Sequence, residues 1–318
     1  MIDRAEELVT VFGGGGFIGR YVCEYLMRSG VRIRVAQRDP RQAYAIQPLG
    51  QVGQFGFVQA DTTRPESVRR AVEGAAAVVN LPGVFGKAME AVHVAGARNV
   101  AEAAAAAGAR ALVHISAIGA DRGSASAYGR TKAQGEQAVR KAFPDPTIIR
   151  PSLVFGSEDE LTNRFARMAK LPVLPVLAAS RKFQPVFVRD LAKAIGKAAL
   201  QPQLHAGKTY EIGGPQVLTM KQLHEAILEL TGQTPEIVQL PDFVGNLMSR
   251  LGFLPGAPLT RDQWLMLQRD NVVSDGAEGI GAFGIEPAPL ASVAWEWLGR
   301  FHRGGKFGGR HLNLTATN

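Results

Sequence analysis

A short β-branched run, Leu8 to Phe12, ends in four consecutive glycines, Gly13 to Gly16, and a helical pattern starts at once through Tyr21, Val22, Tyr25 and Leu26. That is a strand, a tight turn and a helix start. Gly13, Gly16 and Gly19 stand at G-x-x-G-x-x-G spacing. The first would turn the chain sharply, the second would let backbone approach a pyrophosphate, and the third would pack the helix against the strand. The helix start, through Phe17, Ile18 and Arg20, would present unpaired N–H groups and a positive dipole end to phosphates. Glycines alone describe any flexible turn. A strand before them and a helix after them describe a dinucleotide-binding turn.

The alternation continues downstream. Residues 31–38 alternate as a second strand ended by Asp39-Pro40, and residues 56–60 form a third that runs into Asp61 and Thr62. Residues 77–83 read as a fourth, buried strand whose end, with Asn80, Leu81 and Pro82, faces the cofactor channel. The segment 88–107 is helical by composition, residues 111–116 form the fifth strand, and residues 147–150 form the sixth, closed by Pro151 and Ser152 where a nicotinamide ring would lie. Six strands alternating with helices predict a doubly wound parallel-sheet Rossmann fold with right-handed crossovers. Asp61 is placed either to accept a bond from an adenine amino group or to cap the helix that begins near Pro65.

The tip of the second strand meets the adenosine ribose in this fold, where a carboxylate suits NAD and a basic residue suits the 2′-phosphate of NADP. Here the tip reads Gln37-Arg38, and the acid is displaced to Asp39. We expect Arg20 and Arg38 to clamp a 2′-phosphate, favouring NADP(H) over NAD(H).

Tyr128 and Lys132 lie four residues apart at the start of a helix over residues 127–142, which puts both on one face. An ammonium beside the phenol would favour the phenolate, lowering a pKa that starts near 10, and fit Tyr128 for proton transfer. His114, in the apolar run of the fifth strand, reads as a core histidine.

Beyond residue 156 the alternation loosens into a smaller C-terminal α/β lobe, 157–298, interleaved with the nucleotide-binding domain, 1–156. Within it, residues 171–175 read as a proline-broken loop and 183–188 as one strand. Residues 208–212 form another strand, and Thr219 caps a helix reaching Leu230. Residues 243–254 form an apolar segment, either a core helix or an exposed docking element. Residues 299–318 read as a basic tail.

Composition narrows the partners. The 318 residues carry a net charge of +8, with only 7% aromatics and no compact nucleic-acid motif, so nucleic acid is not expected. Cys23, the only cysteine, excludes an internal disulfide or a cysteine-built metal site and reads as a buried small residue. No metal is expected. The first strand begins near residue 8 and no run approaches a membrane span, so we expect no signal, transit or transmembrane segment.

The glycine turn with Asp61, Asn80, the Tyr128-to-Lys132 segment and Arg150-Pro151-Ser152 resembles the short-chain dehydrogenase/reductase superfamily, in its extended or atypical branch. The segments 114–120, 156–159, 183–188 and 259–263 resemble, more narrowly, the NADPH-binding accessory subunits of respiratory complex I. That resemblance reaches to about residue 275. It implies tightly held NADP(H) with a structural role, partner subunits of complex I, and a peripheral position on the cytoplasmic side of the inner membrane, with anionic lipid as a further contact. Active members of the superfamily usually carry a second Ser or Thr after strand five, and this chain reads Ser116-Ala117. If Ala117 holds the catalytic place, the oxyanion donor is missing; if Ser116 does, the triad Ser116-Tyr128-Lys132 is complete. Three readings therefore stand: a non-catalytic nucleotide-holding subunit, an active NADP-dependent reductase, epimerase or dehydratase, and an NADP-sensing regulator.

Overall fold

A computed structural model describes residues 6–252, 259–302 and 305. Its spine is a seven-stranded sheet, parallel throughout. The first strands and helices follow the apolar runs: β1 (Leu8–Phe12), α1 (Phe17–Arg28), β2 (Arg32–Gln37), β3 (Phe55–Gln59), α2 (Pro65–Val72) and β4 (Ala77–Asn80). There follow α3 (Ala97–Ala106), β5 (Ala111–Ile115), α4 (Ala127–Ala142), β6 (Thr147–Pro151), α5 (Val188–Leu200) and β7 (Thr209–Ile212). Spatially the strands run β3-β2-β1-β4-β5-β6-β7. The order reverses beside β1, so the crevice for a ligand opens where β1 and β4 end.

Because successive strand residues face opposite sides, the sheet has two cores. Val9, Val11, Val79, Val113 and Ile149 pack with Val22, Leu26, Leu191 and Ile195 of α1 and α5. Phe12, Val78, Leu112 and Ile148 pack with Val68, Val100, Ala104 and Val139 of α2, α3 and α4. Helices α1 and α5 approach closely because Gly196 has no side chain: a Cβ there would lie 2.2 Å from the Tyr25 ring.

A third core, around Phe155, Leu174, Leu223, Ile227, Trp297 and Leu298, belongs to the C-terminal half. There the structure corrects two expectations. Residues 171–175 are not a loop: Val173–Val176 is a strand, paired in parallel with Glu236–Gln239, and Pro175 is tolerated because the pair has only two strands. The single strand expected over 183–188 is two short pieces, Lys182–Phe183 and Val186–Phe187, broken at Gln184-Pro185. Helix α5 begins directly after the second piece.

Thr219 does cap its helix, α6 (Met220–Thr231), in a reciprocal box with Gln222. The apolar segment at 243 forms α7 (Asp242–Arg250), and it is no core helix: Phe243, Leu247 and Leu251 are 70%, 61% and 52% exposed. A last structural helix for the site is α8 (Arg261–Leu267). The basic tail beyond His302 lies, Gly305 apart, outside the described residues.

Candidate nucleotide site

The glycine turn is built as its spacing requires. Gly13 sits at φ +76°, a conformation that side chains resist, and its N–H donates to Ala36 O of β2. A Cβ on Gly19 would lie 2.2 Å from Gly13 O and 2.6 Å from Gly14 Cα, so α1 can rest on the turn only without one. Gly16 is exposed at the helix start, and no side chain caps it. Phe17 and Ile18 are half-buried against the core, with the Phe17 ring over Gly156. After β4, Leu81 and Pro82 lie against Gly13, and a Cβ on Gly83 would stand 3.4 Å from Lys132 Nζ. One short loop thus joins the glycine turn to the Tyr–Lys helix.

At the tip of β2 the two arginines expected to form a clamp stand in different settings. Arg20 is ion-paired with Glu158 at 3.1 Å, and Glu158 also accepts from the Tyr21 hydroxyl at 2.6 Å. Arg38 stands exposed at the tip of β2. The residue that touches the turn is Gln37, whose Oε1 accepts the Gly15 N–H at 2.9 Å while its Nε2 donates to Asp39 O. Asp39 itself is held by Arg41. Asp61 accepts from the Thr63 N–H and hydroxyl; partial burial pushes its carboxyl up, but those bonds with Arg38 and Arg64 nearby hold it below the usual range. Thr62 is buried, and its carbonyl accepts from Asn99.

Helix α4 brings Tyr128 and Lys132 onto one face. Lys132 is buried, its Nζ donating to Ile115 O at 3.0 Å and lying 5.8 Å from the Tyr128 ring centroid. Burial brings the ammonium down to about 8, with Glu136 acting the other way. The expected lowering of Tyr128 is overturned. Burial pushes the phenol up to about 12, since its ring is stacked on Phe85 at 4.8 Å and met edge-on by His93 at 5.3 Å. His93 is locked neutral: its Nε2 accepts from Val84 N–H, so Nδ1 carries the proton and donates to Thr131 Oγ1. Burial, then the Lys132 charge, takes it down to about 3.

Asn80 is buried with its amide on His114 Nδ1 at 3.0 Å, which leaves His114 Nε2 buried and without a partner among the described residues. His114 is thus a core histidine only half satisfied. Pro151 closes β6 against Ile212, and the Ser152 hydroxyl donates to Asn271. Ser116 is buried, and its Oγ likewise has no partner among the described residues. Cys23 is inert, its thiol pushed up to about 12 by burial.

An uncapped helix end, a turn that excludes side chains and an orphaned Ser116 hydroxyl near a buried lysine fit a dinucleotide laid across the strand ends. Gln37, Phe85 and His93 were missed in the sequence, since nothing local marks their long-range contacts. An open cleft of about 410 Å³, lined by Arg122, Glu136, Arg140 and Arg150 among others, shares no residue with the glycine turn, Ser116, Tyr128 or Lys132. Its Arg150 is already paired with two carboxylates.

Fold and site together define a Rossmann protein of the NAD(P)-binding class. The chain belongs to the NAD dependent epimerase/dehydratase family, which it matches over residues 9–213. It is 34% identical over 305 residues to NADH dehydrogenase (ubiquinone) 1 alpha subcomplex subunit 9, mitochondrial, of Rattus norvegicus, a match covering 93% of this chain and 80% of the relative. It is also 31% identical over 248 residues to a ceramide reductase of Caulobacter vibrioides, covering 76% of each. The structure of the Escherichia coli NADPH-dependent quinone oxidoreductase complexed with NADPH superposes with a TM-score of 0.74 at 22% identity, over 91% of this chain and 99% of that one. That last likeness is one of fold.

Proposed function

We propose that this chain is a nucleotide-holding subunit of a respiratory NADH:quinone oxidoreductase, in which NADP(H) is retained for structure and not turned over. The observation that carries the reading is the state of Tyr128. Its face is covered by Phe85 and its phenol is pushed up to about 12, so it is a poor proton donor or acceptor near neutrality but a sound binding hydroxyl. Tyr128 and Lys132 then bind the nicotinamide ribose, Ser116 and the Leu81–Pro82 loop line the nicotinamide end, and Gly13, Gly16 and the α1 start hold the pyrophosphate. Asp61 and Thr62 border the adenine. The naming of the relative as a subunit supports the assembly. The exposed Phe243, Leu247 and Leu251 supply an apolar contact for a neighbouring subunit, and the net charge of +8 favours acidic surfaces around it. Among the described residues no helix is long and apolar enough to cross a membrane, and the place proposed for the chain is peripheral, at the inner membrane's cytoplasmic face.

The second reading, an active NADP-dependent reductase, is favoured by the orphaned Ser116 hydroxyl and by the relative named a reductase. One experiment separates the two. Membranes are gently solubilised and fractionated, and the chain is followed beside NADH:quinone oxidoreductase activity, for wild type and Tyr128→Phe. We expect both to co-migrate with the activity in a very large particle, with respiration unchanged. A small species throughout would overturn the subunit reading. A small species that turns over a carbonyl substrate and loses about 10²–10⁴-fold on Tyr128→Phe would establish the enzyme.

The cofactor follows from the strand tip. With Asp39 held by Arg41 and Gln37 on the turn, neither offers itself to a 2′-hydroxyl, and Arg38 is the exposed cation beside it. NADPH should bind more tightly than NADH in a direct titration, and Arg38→Ala should narrow the gap by about tenfold or more. Equal or tighter NADH binding to the wild type would refute the preference.

A further inference from the structure

We infer that Asp262, on α8 of the C-terminal half, is a positioning residue for the nicotinamide end of the site: its carboxylate closes the N-terminus of α4 and so fixes where Tyr128 and Lys132 stand. The inference rests on the reading of these two residues as nicotinamide-ribose ligands.

The first amides of a helix have no acceptor within it. In α4 the cap residue Ser126 serves only one of them, its hydroxyl accepting from Gly129 N–H at 3.2 Å. Asp262 takes the others. Its Oδ1 accepts from Ala127 N–H at 2.6 Å and its Oδ2 from Tyr128 N–H at 3.1 Å, and the Ser126 hydroxyl donates to Oδ2 at 3.2 Å. The carboxylate also lies in the first turn of its own helix, α8, which Thr260 and Gln263 cap in a reciprocal box. Two positive helix ends therefore converge on one negative charge, and among the described residues no lysine or arginine pairs with it.

Tyr128 is the second residue of α4, so its place depends on the first turn staying wound. That turn holds the ring between Phe85 and His93, and Lys132, one turn on, reaches Ile115 O from the same face. A neutral amide at 262 would keep the shape, lose the charge, and turn an NH₂ towards one of the two helix amides. The first turn would loosen while the glycine turn, which Asp262 does not touch, would stay. On its far side α8 is packed on α7: a Cβ on Gly245 would lie 2.3 Å from the Trp264 ring. The helix with the exposed apolar ridge and the helix that bears Tyr128 are thus both in direct contact with α8.

The test is a binding split in the full-length chain, using NADPH and 2′-phospho-ADP, which lacks both the nicotinamide and its ribose. Asp262→Asn should weaken NADPH roughly tenfold, the scale of a lost helix cap, and leave the truncated ligand within about twofold. Lys132→Met, in the same series, should show the same selectivity. If Lys132→Met is selective and Asp262→Asn is not, whether because both ligands bind normally or because both weaken alike, the role of Asp262 is overturned alone. If Lys132→Met shows no selectivity, the nicotinamide-ribose reading falls and this inference with it. Should Asp262→Asn not fold, Ser126→Ala, which removes the hydroxyl bracing Oδ2, must give the selective loss; unchanged NADPH binding there overturns the proposal.

Discussion

Gly19→Ala should leave the protein unable to retain a nucleotide. The added Cβ would stand 2.2 Å from Gly13 O and 2.6 Å from Gly14 Cα, both backbone atoms with no rotamer to escape through. Helix α1 would have to lift off the turn. Overpacking of this kind costs about 1–3 kcal/mol or more, against roughly 1 kcal/mol returned by alanine's better helix propensity. The effect on binding is larger than on folding. Lifting α1 moves its free amides away from the pyrophosphate, and losing two charge-assisted bonds of about 1.5–3 kcal/mol each lowers affinity more than a hundredfold. Titration with NADPH, beside a thermal melt, reads both. Gly56→Ala is the control, since it lies on β3, paired with Arg34, and nothing lies within 4 Å of its Cβ position. Retained NADPH in Gly19→Ala at wild-type affinity would remove the turn from the site.

Arg150→Met should be strongly destabilising. Arg150, next to last in β6, makes a two-pronged pair to Glu136 of α4, at 2.8 and 2.7 Å, and a longer contact to Glu211 of β7 at 3.4 Å. Glu211 also accepts from Ser274 N–H. The side chains of Glu136 and Glu211 are only 6% and 10% exposed, so removing the guanidinium strands two carboxylates out of water. Breaking such a pair costs about 3–5 kcal/mol, and the 26% exposure of Arg150 puts this case near the lower figure. Urea unfolding should show a lower midpoint at unchanged slope. Adding Glu136→Gln and Glu211→Gln should recover most of the loss, because the cost lies in stranded charge more than in a lost attraction. No recovery would mean that packing, not charge, explains the site.

The features that could be read in the sequence are those whose causes are local. A strand, a glycine turn and a helix are adjacent in the chain, so Leu8 to Arg28 carries its own instructions. So does the Thr219–Gln222 box that starts α6. The spacing of Tyr128 and Lys132 places them on one face wherever the helix lies. The direction of the Tyr128 shift was not local: it depends on Phe85 and His93, brought in by other loops. Arg20 looked free because its partner Glu158 lies 138 residues away, and the cap supplied by Asp262 to Tyr128 spans 134. Pro175 argued for a loop on its own chemistry, and only the arrival of Glu236–Gln239 shows why a strand survives there.

The placement of β7 has a consequence for synthesis. Its four residues, Thr209–Ile212, pair with β6 and close that edge of the sheet, and α5, just before it, covers β4, β5 and β6 beside α1. A nascent chain that has emerged only as far as residue 156 therefore has every strand tip of the glycine-turn half, yet one face partly bare and the β6 edge unpaired. Such an edge is a template for pairing with other chains. The ribosome must deliver Ile212 before this half can close, so the interval between the two is when a folding chaperone would find most to bind.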